Sequence, residues 1–336
     1  MLRLRALLIR PLIVILSFFE RRLSSAGQFA AAKPKFTLSI PSTIAQTPHK
    51  IPLLFYGPKT FSPRNPASPS PQSAGFPVVI NFHGGGFTIG APNNDARWAT
   101  AAGAAGAVLI GVKYRLAPEH PHPAGIEDGV DAILWVRAHG AAHGLDASRI
   151  VLSGSSAGGN LSLTVALRLF DELRKKGETV SSAAAALAGI VAFYPSTNYA
   201  QTRAERRRSN TSRTRPAKQT IPDSLFRLFD ESYLYPHEKL DLTSPFLSPG
   251  LAPAQTLRDA LPARVAIFTC EWDQLYAEGE AFRKRLVELG KQVGGRMIEG
   301  VDHGWDKAPT FMRQDTKKDA MYAEAAAQLL EMFGDG

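Results

Sequence analysis

The sequence predicts an α/β architecture: a mostly parallel sheet of about eight strands with helices on its faces. Three observations carry that prediction. Short apolar runs recur along the chain, and from the third onward they alternate with segments of helical spacing. Glycine-rich or polar loops directly follow several of these runs. The residues able to do chemistry sit in those loops, at the carboxyl ends of strands, where open α/β sheets keep their sites.

In chain order, Thr37–Ile40 and Ile51–Tyr56 read as an antiparallel edge pair. Phe61 to Gly75 is rich in Ser and Pro, a low-complexity surface loop. Val78–Phe82, Val108–Tyr114, Ile150–Gly154 and Gly189–Tyr194 are the next strands. After the strand at 150, a largely apolar helix runs to Lys175-Lys176-Gly177, cations followed by a glycine stop. Ser196 to Phe246 lies between strands and reads as a lid. Ile221 to Phe229 makes an amphipathic helix within it that begins near Pro222. The basic stretch 203–218 reads as an exposed, mobile loop, and Asn210-Thr211-Ser212 within it is a formal glycosylation sequon. Arg264–Thr269 and Gly295–Glu299 are the last strands. Tyr276–Leu289 between them places Phe282, Leu286 and Leu289 at helical spacing. The final helix carries Met321, Ala325, Leu329 and Met332 beside Tyr322, Ala326, Leu330 and Phe333, stripes that belong to a core.

At 336 residues the chain is long enough for a substantial core. Its single cysteine, Cys270, cannot form an internal disulfide and sits in an apolar strand, as a buried, inert thiol would. The formal charge of +9 is unevenly spread. Residues 1–35 and residues 203–218 each hold seven cations against one acid, which leaves −3 for the rest. Such a distribution argues against nucleic acid as a partner and leaves attraction to an acidic membrane surface open for the two basic appendages. At the N-terminus, Leu12 to Phe19 is apolar, with Arg3, Arg5 and Arg10 before it and Arg21-Arg22 after it. The run is too short for a transmembrane helix. A signal peptide cleaved near Ser24-x-Ala26 is an open reading. The favoured one is a lid that doubles as a membrane-surface contact on an intracellular protein.

Gly154-Ser155-Ser156-Ala157-Gly158-Gly159 stands between a strand and a helix. A Gly-x-Ser-x-Gly in that context is a sharp turn that pushes a serine hydroxyl out at the top of a sheet. The frame selects Ser156, because Gly154 and Gly158 flank it, whereas Ser153 and Ala157 flank Ser155. Asn81-Phe82-His83-Gly84-Gly85-Gly86-Phe87 follows another strand and exposes unblocked backbone N–H groups of the kind an oxyanion needs. Asp273 lies just past the strand ending at 269, and His303 lies on the loop after the last strand, so acid and base follow the serine in the expected order. No His-Glu-x-x-His or comparable spacing is present, so no metal is expected, and no cofactor.

With these motifs the chain resembles the hormone-sensitive-lipase-like branch of the α/β-hydrolases, the group with the His-Gly-Gly-Gly signature. Tyr114-Arg115-Leu116-Ala117-Pro118-Glu119-His120-Pro121, Pro123-Ala124, Asp273-Gln274-Leu275 and His303-Gly304 add to the match, which spans roughly residues 37 to 333. The resemblance implies the α/β-hydrolase fold, with residues 1–36 as an N-terminal lid or membrane-surface segment. Residues 37–336 would be the catalytic domain, interrupted by a lid at about 196–246. It implies a serine carboxylic-ester hydrolase acting on small to medium acyl esters through an acyl-enzyme. Ser156 is then the nucleophile, Asp273 the acid and His303 the base. The backbone N–H groups of Gly85, Gly86 and Ala157 form the oxyanion hole, and His83 and Gly84 support its loop. One position departs: the family usually has Asp directly before the nucleophile, and this chain has Ser155.

Rival residues take other roles. Glu271 is two residues before Asp273, still in the strand. Asp302 is too close in sequence to His303 to reach its ring. Asp128 reads as a helix-start carboxylate. His120, His122, His139 and His143 read as structural or surface residues. Phe87, Trp98, Tyr194, Trp305 and Phe226 are candidate pocket walls. Two other functions remain open. Some relatives are receptors with a replaced base, such as the gibberellin receptors, and some are dehydratases with an altered nucleophile or oxyanion loop. The presence of His303 argues against the first, and the intact serine and glycine loops argue against the second.

Overall fold

The computed structural model describes residues 2–11, 28–62, 75–214, 216, 221–308 and 314–334. The apolar run 12–19, the cleavage site near 24–26 and most of the Ser/Pro-rich loop lie outside these residues.

Among the described residues nine strands form one sheet: β1 (Phe36–Pro41), β2 (Lys50–Tyr56), β3 (Phe76–Phe82), β4 (Val108–Val112), β5 (Leu145–Ser155), β6 (Gly189–Phe193), β7 (Arg264–Cys270), β8 (Gln292–Gly294) and β9 (Met297–Ile298). The order is β1-β2-β4-β3-β5-β6-β7-β8, with β9 also beside β7. β1 and β2 are antiparallel to each other, and β2 is antiparallel to β4. All pairs from β3 onward are parallel. The expected last strand, 295–299, begins three residues earlier and is divided. Gly295 adopts φ +74° between β8 and β9, a conformation that interrupts a strand.

Both faces of the sheet are covered, which explains the unbroken apolar runs of β3 and β5. Val78, Ile80, Ile150 and Leu152 face one core, and Val79 and Val151 face the other, the alternation a strand imposes. Helix α1 spans residues 2–11. Helices α2 (Ala96–Ala104) and α10 (Thr316–Phe333) cover the second face. The first is covered by α3 (Ala124–His139), α4 (Ala157–Lys175), α5 (Val180–Ala184), α8 (Ala254–Ala260) and α9 (Tyr276–Glu288). On α10 the expected stripe is buried except Leu330, which is 36% exposed and points away from the core.

The segment expected as a lid, 196–246, holds α6 (Arg203–Ser209) and α7 (Asp223–Tyr233). The basic stretch is therefore a helix over most of its described length, not a loop. A capping box between Thr202 and Glu205 starts it, and three of its cations pair with acids. Arg203 grips Asp230 of α7, Arg207 pairs with Asp223, and Arg206 is buried against Glu278 of α9 at 2.9 Å. Glu278 also accepts from the backbone N–H groups of Thr197 and Asn198. Its carboxyl is raised by burial and held back by Arg206. Asn160 of α4 closes the base of the lid by donating to the carbonyls of Ser196 and Leu247.

Removing one partner of a buried pair strands the other charge. Glu278→Ala is expected to destabilise the protein by about 3–5 kcal/mol in denaturant titration. The exposed Lys284–Glu288 pair on α9, broken in the same way, is expected to change stability by less than about 1 kcal/mol.

Candidate functional site

The turn between β5 and α4 is built by close backbone approach. A Cβ on Gly158 would lie 1.9 Å from the Phe82 carbonyl oxygen, and one on Gly154 would lie 2.2 Å from that of Gly158. Only glycine fits either place. Between them Ser156 takes φ +56° and ψ −115°, a strained conformation for a residue with a side chain. Its N–H donates to the Phe193 carbonyl of β6 at 2.9 Å, which holds the turn to the sheet.

Three side chains far apart in sequence meet here. His303 Nε2 is 2.8 Å from Ser156 Oγ, and His303 Nδ1 is 2.5 Å from Asp273 Oδ2. The second oxygen of Asp273 accepts the N–H of Leu275 at 2.9 Å. Asp273 and His303 are both buried. Such a chain of contacts can take a proton from a hydroxyl and stabilise the resulting imidazolium. Asp302 is turned to its own loop, where it accepts the N–H of His303. Glu271 stands just past the end of β7 rather than within it. It accepts from Ser212, Thr214 and the Gly300 N–H, which hold its carboxyl below the usual range.

The glycine loop after β3 packs on the serine turn, with Gly84 close to Ser155 and Ser156. Its carbonyls are occupied within the loop and by its neighbours. Gly84 accepts from His83 Nδ1, Gly85 from the N–H groups of Thr88 and Ile89, and Gly86 from the Thr88 hydroxyl. Gly86 has φ +58°, and a Cβ there would strike the ring of Phe229 at 2.1 Å. Ala157 opens α4, so its N–H is among the unpaired amides of a helix start. His83 is fully enclosed, stacked on Tyr114 at 4.3 Å between ring centres. Burial lowers its pKa to about 4, so the ring is neutral near pH 7.

Behind the serine lies a buried polar network that the sequence did not reveal. Asp95 accepts from Asn81 and from Ser155, and Lys307 bridges Asp95 and Asp306 at 2.6 and 2.9 Å. Tyr194 and Tyr322 donate to Asp306. A carboxylate thus stands beside the position where Ser155 had removed one, supplied by the start of α2. Asp128 likewise is more than a helix-start acid: it is buried and grips Arg115 and His49.

Asn210 is a further residue whose place the sequence did not reveal. Its side chain is buried, and Nδ2 donates to the carbonyls of Glu271 and Asp273 at 2.9 and 2.6 Å. The sequon nitrogen is thus engaged in the fold, and it fastens the loop that presents Asp273. The sequence signal was an asparagine in a basic stretch, which has no helical or strand period to place it. Of the candidate walls, Phe226 sits 6.2 Å and Tyr194 5.0 Å from the His303 ring, between centres. Phe87 stacks on Tyr233, whereas Trp98 lies under the sheet, bonded to Ser153.

A family model described as alpha/beta hydrolase fold matches residues 79–307. The chain is 32% identical over 237 residues to esterase LipI of Mycobacterium tuberculosis, covering 70% of this chain and 67% of that protein. It is 33% identical over 232 residues to the carboxylic ester hydrolase LipN of the same organism, covering 68% of this chain and 57% of that protein. An esterase of Pyrobaculum calidifontis superposes with a TM-score of 0.75 at 25% identity, covering 97% of this chain and 93% of that one.

A neutral buried imidazole makes stability fall in acid. The unfolded chain binds a proton at its ordinary pKa, near 6.5, while the fold resists protonation down to about 4. Unfolding free energy is expected to drop by up to about 3 kcal/mol as pH falls through that window. In denaturant titrations, His83→Gln should flatten this part of the pH dependence.

Proposed function

The chain belongs to the α/β-hydrolase fold family, in its hormone-sensitive-lipase-like branch of carboxylic-ester hydrolases, and from that premise we propose that it cleaves small to medium acyl esters through a covalent acyl-serine. The observation that carries this reading is the 2.8 Å contact between His303 Nε2 and Ser156 Oγ, with the Asp273 carboxylate behind the ring. Ser156 attacks the ester carbonyl as His303 takes its proton. Asp273 holds the ring in the tautomer with Nδ1 protonated and balances the imidazolium. The oxyanion is met by the N–H groups of Gly85, Gly86 and Ala157, aided by the positive end of α4. His303 then gives its proton to the leaving alcohol, and a water activated by the same ring releases the acid.

A small cleft beside the imidazole is bounded by Ile221, Phe226, Asp273, Gln274, Asp302 and His303. Phe229 against Gly86 and Phe226 near His303 form its apolar roof.

The test is turnover of chromogenic esters of increasing acyl length by the full chain. Esters of small to medium acyl groups are expected to be hydrolysed, and Ser156→Ala to lower kcat by at least about a thousandfold. Saturable ester binding with no turnover in the unaltered chain would instead point to a receptor. Asn210→Ala is expected to lower kcat by about tenfold or more with little change in KM, because it loosens the loop bearing Asp273 without touching substrate. Equal loss in kcat and in folded protein, read by circular dichroism, would reduce Asn210 to a stability role.

A further inference from the structure

Helix α1 has two distinct faces. One is committed to the protein. Ala6 is fully buried, and Ile9 packs with Ile89, Phe226 and Phe229 above the cleft. Arg10 pins the helix by donating to the carbonyls of Thr88 and Ala117 at 2.9 and 2.7 Å and to the Glu119 carboxylate at 2.7 Å. The other face carries Leu4, Leu7 and Leu8, at the spacing that lines up on one side of a helix, and they are 62%, 55% and 69% exposed. A single exposed leucine is ordinary. Three together on a helix whose opposite face is already docked leave an apolar stripe with nothing against it among the described residues.

Charge identifies the partner. Arg3 and Arg5 flank the stripe and are exposed, and α1 contains no acidic residue. Arg10 is bonded to Glu119, whose carboxylate also feels Arg3, so the three arginines outnumber the one acid and Arg3 and Arg5 border the stripe with net positive charge. An apolar stripe bordered by arginines fits the boundary between headgroups and acyl chains of an anionic lipid layer, with leucines below and guanidinium groups at the phosphates. A second copy of this helix would bring like charges together.

We propose that the outward face of α1 docks on an anionic lipid surface through Leu4, Leu7, Leu8, Arg3 and Arg5, and so sets the roof of the cleft against the membrane. The proposal concerns binding and does not require the hydrolase reading.

Co-sedimentation of the full chain with phosphatidylcholine vesicles, with and without phosphatidylglycerol, tests it. Binding is expected only with phosphatidylglycerol and should weaken as salt is raised. The variant Leu4→Ser/Leu7→Ser/Leu8→Ser is expected to lose about tenfold or more in binding. Arg3→Gln/Arg5→Gln should remove the preference for the anionic vesicles. Both variants should keep the melting temperature and the turnover of a water-soluble ester, a readout that reports separately on the hydrolase reading. No binding by the unaltered chain, or equal binding by the leucine variant, overturns the proposal. A dimer in sedimentation velocity that the leucine variant abolishes also overturns it, because a second copy would then cover the stripe.

Discussion

The rest of the site depends on the approach of two backbones at the turn after β5. Gly158 can sit against the Phe82 carbonyl only because it lacks a Cβ. That contact brings the start of α4 next to the glycine loop after β3. It also forces Ser156 into positive φ, which lifts its hydroxyl out of the sheet toward His303. Strain of this kind, on the order of 1–3 kcal/mol, survives only where surrounding structure over-determines it. Here β6 holds the serine N–H, and Asn160 ties the first turn of α4 to both ends of the lid.

Around that turn the protein uses buried polar contacts rather than apolar packing alone. The cluster of Asp95, Lys307, Asp306, Tyr194 and Tyr322 joins the strand before the serine to the loop after His303. Burial alone would push the Lys307 ammonium down and the Asp306 carboxyl up, but the carboxylates of Asp306 and Asp95 raise the ammonium, and Lys307 with the hydroxyls of Tyr194 and Tyr322 lowers the Asp306 carboxyl, so both stay charged. On the other side, Arg206–Glu278 and Asn210 fasten the lid to the element that carries Asp273. Asp273 is therefore positioned from α6 and the residues after it, and His303 from the network under the sheet.

How much of this could be read in the sequence follows from the range of the forces involved. Ser156, the glycine loop, Asp273 and His303 were legible because each sits at a local boundary, strand to loop, that residue type and order reveal. The parallel strands were legible because both faces are covered and the runs are unbroken. Long-range partnerships were not legible. Nothing around Asn210 announces that it bonds carbonyls 61 and 63 residues away. Arg206 looked like one cation of a solvated run, but Glu278 draws it inside. Asp95 replaces the missing charge beside Ser155 from 60 residues away. Such pairs are set by tertiary contact and leave no period in the chain.

The central claim is that the hydroxyl of Ser156 is acylated during turnover. Acid quenching during hydrolysis of an activated acetyl ester, followed by peptide mass spectrometry, measures this directly. The account predicts an acetyl group on the peptide bearing Ser156, with the modified atom at that residue and more of the adduct in a slow-deacylating His303→Ala background supplied with imidazole. Ester turnover with no acyl group on Ser156, or with the group on another side chain, would contradict it.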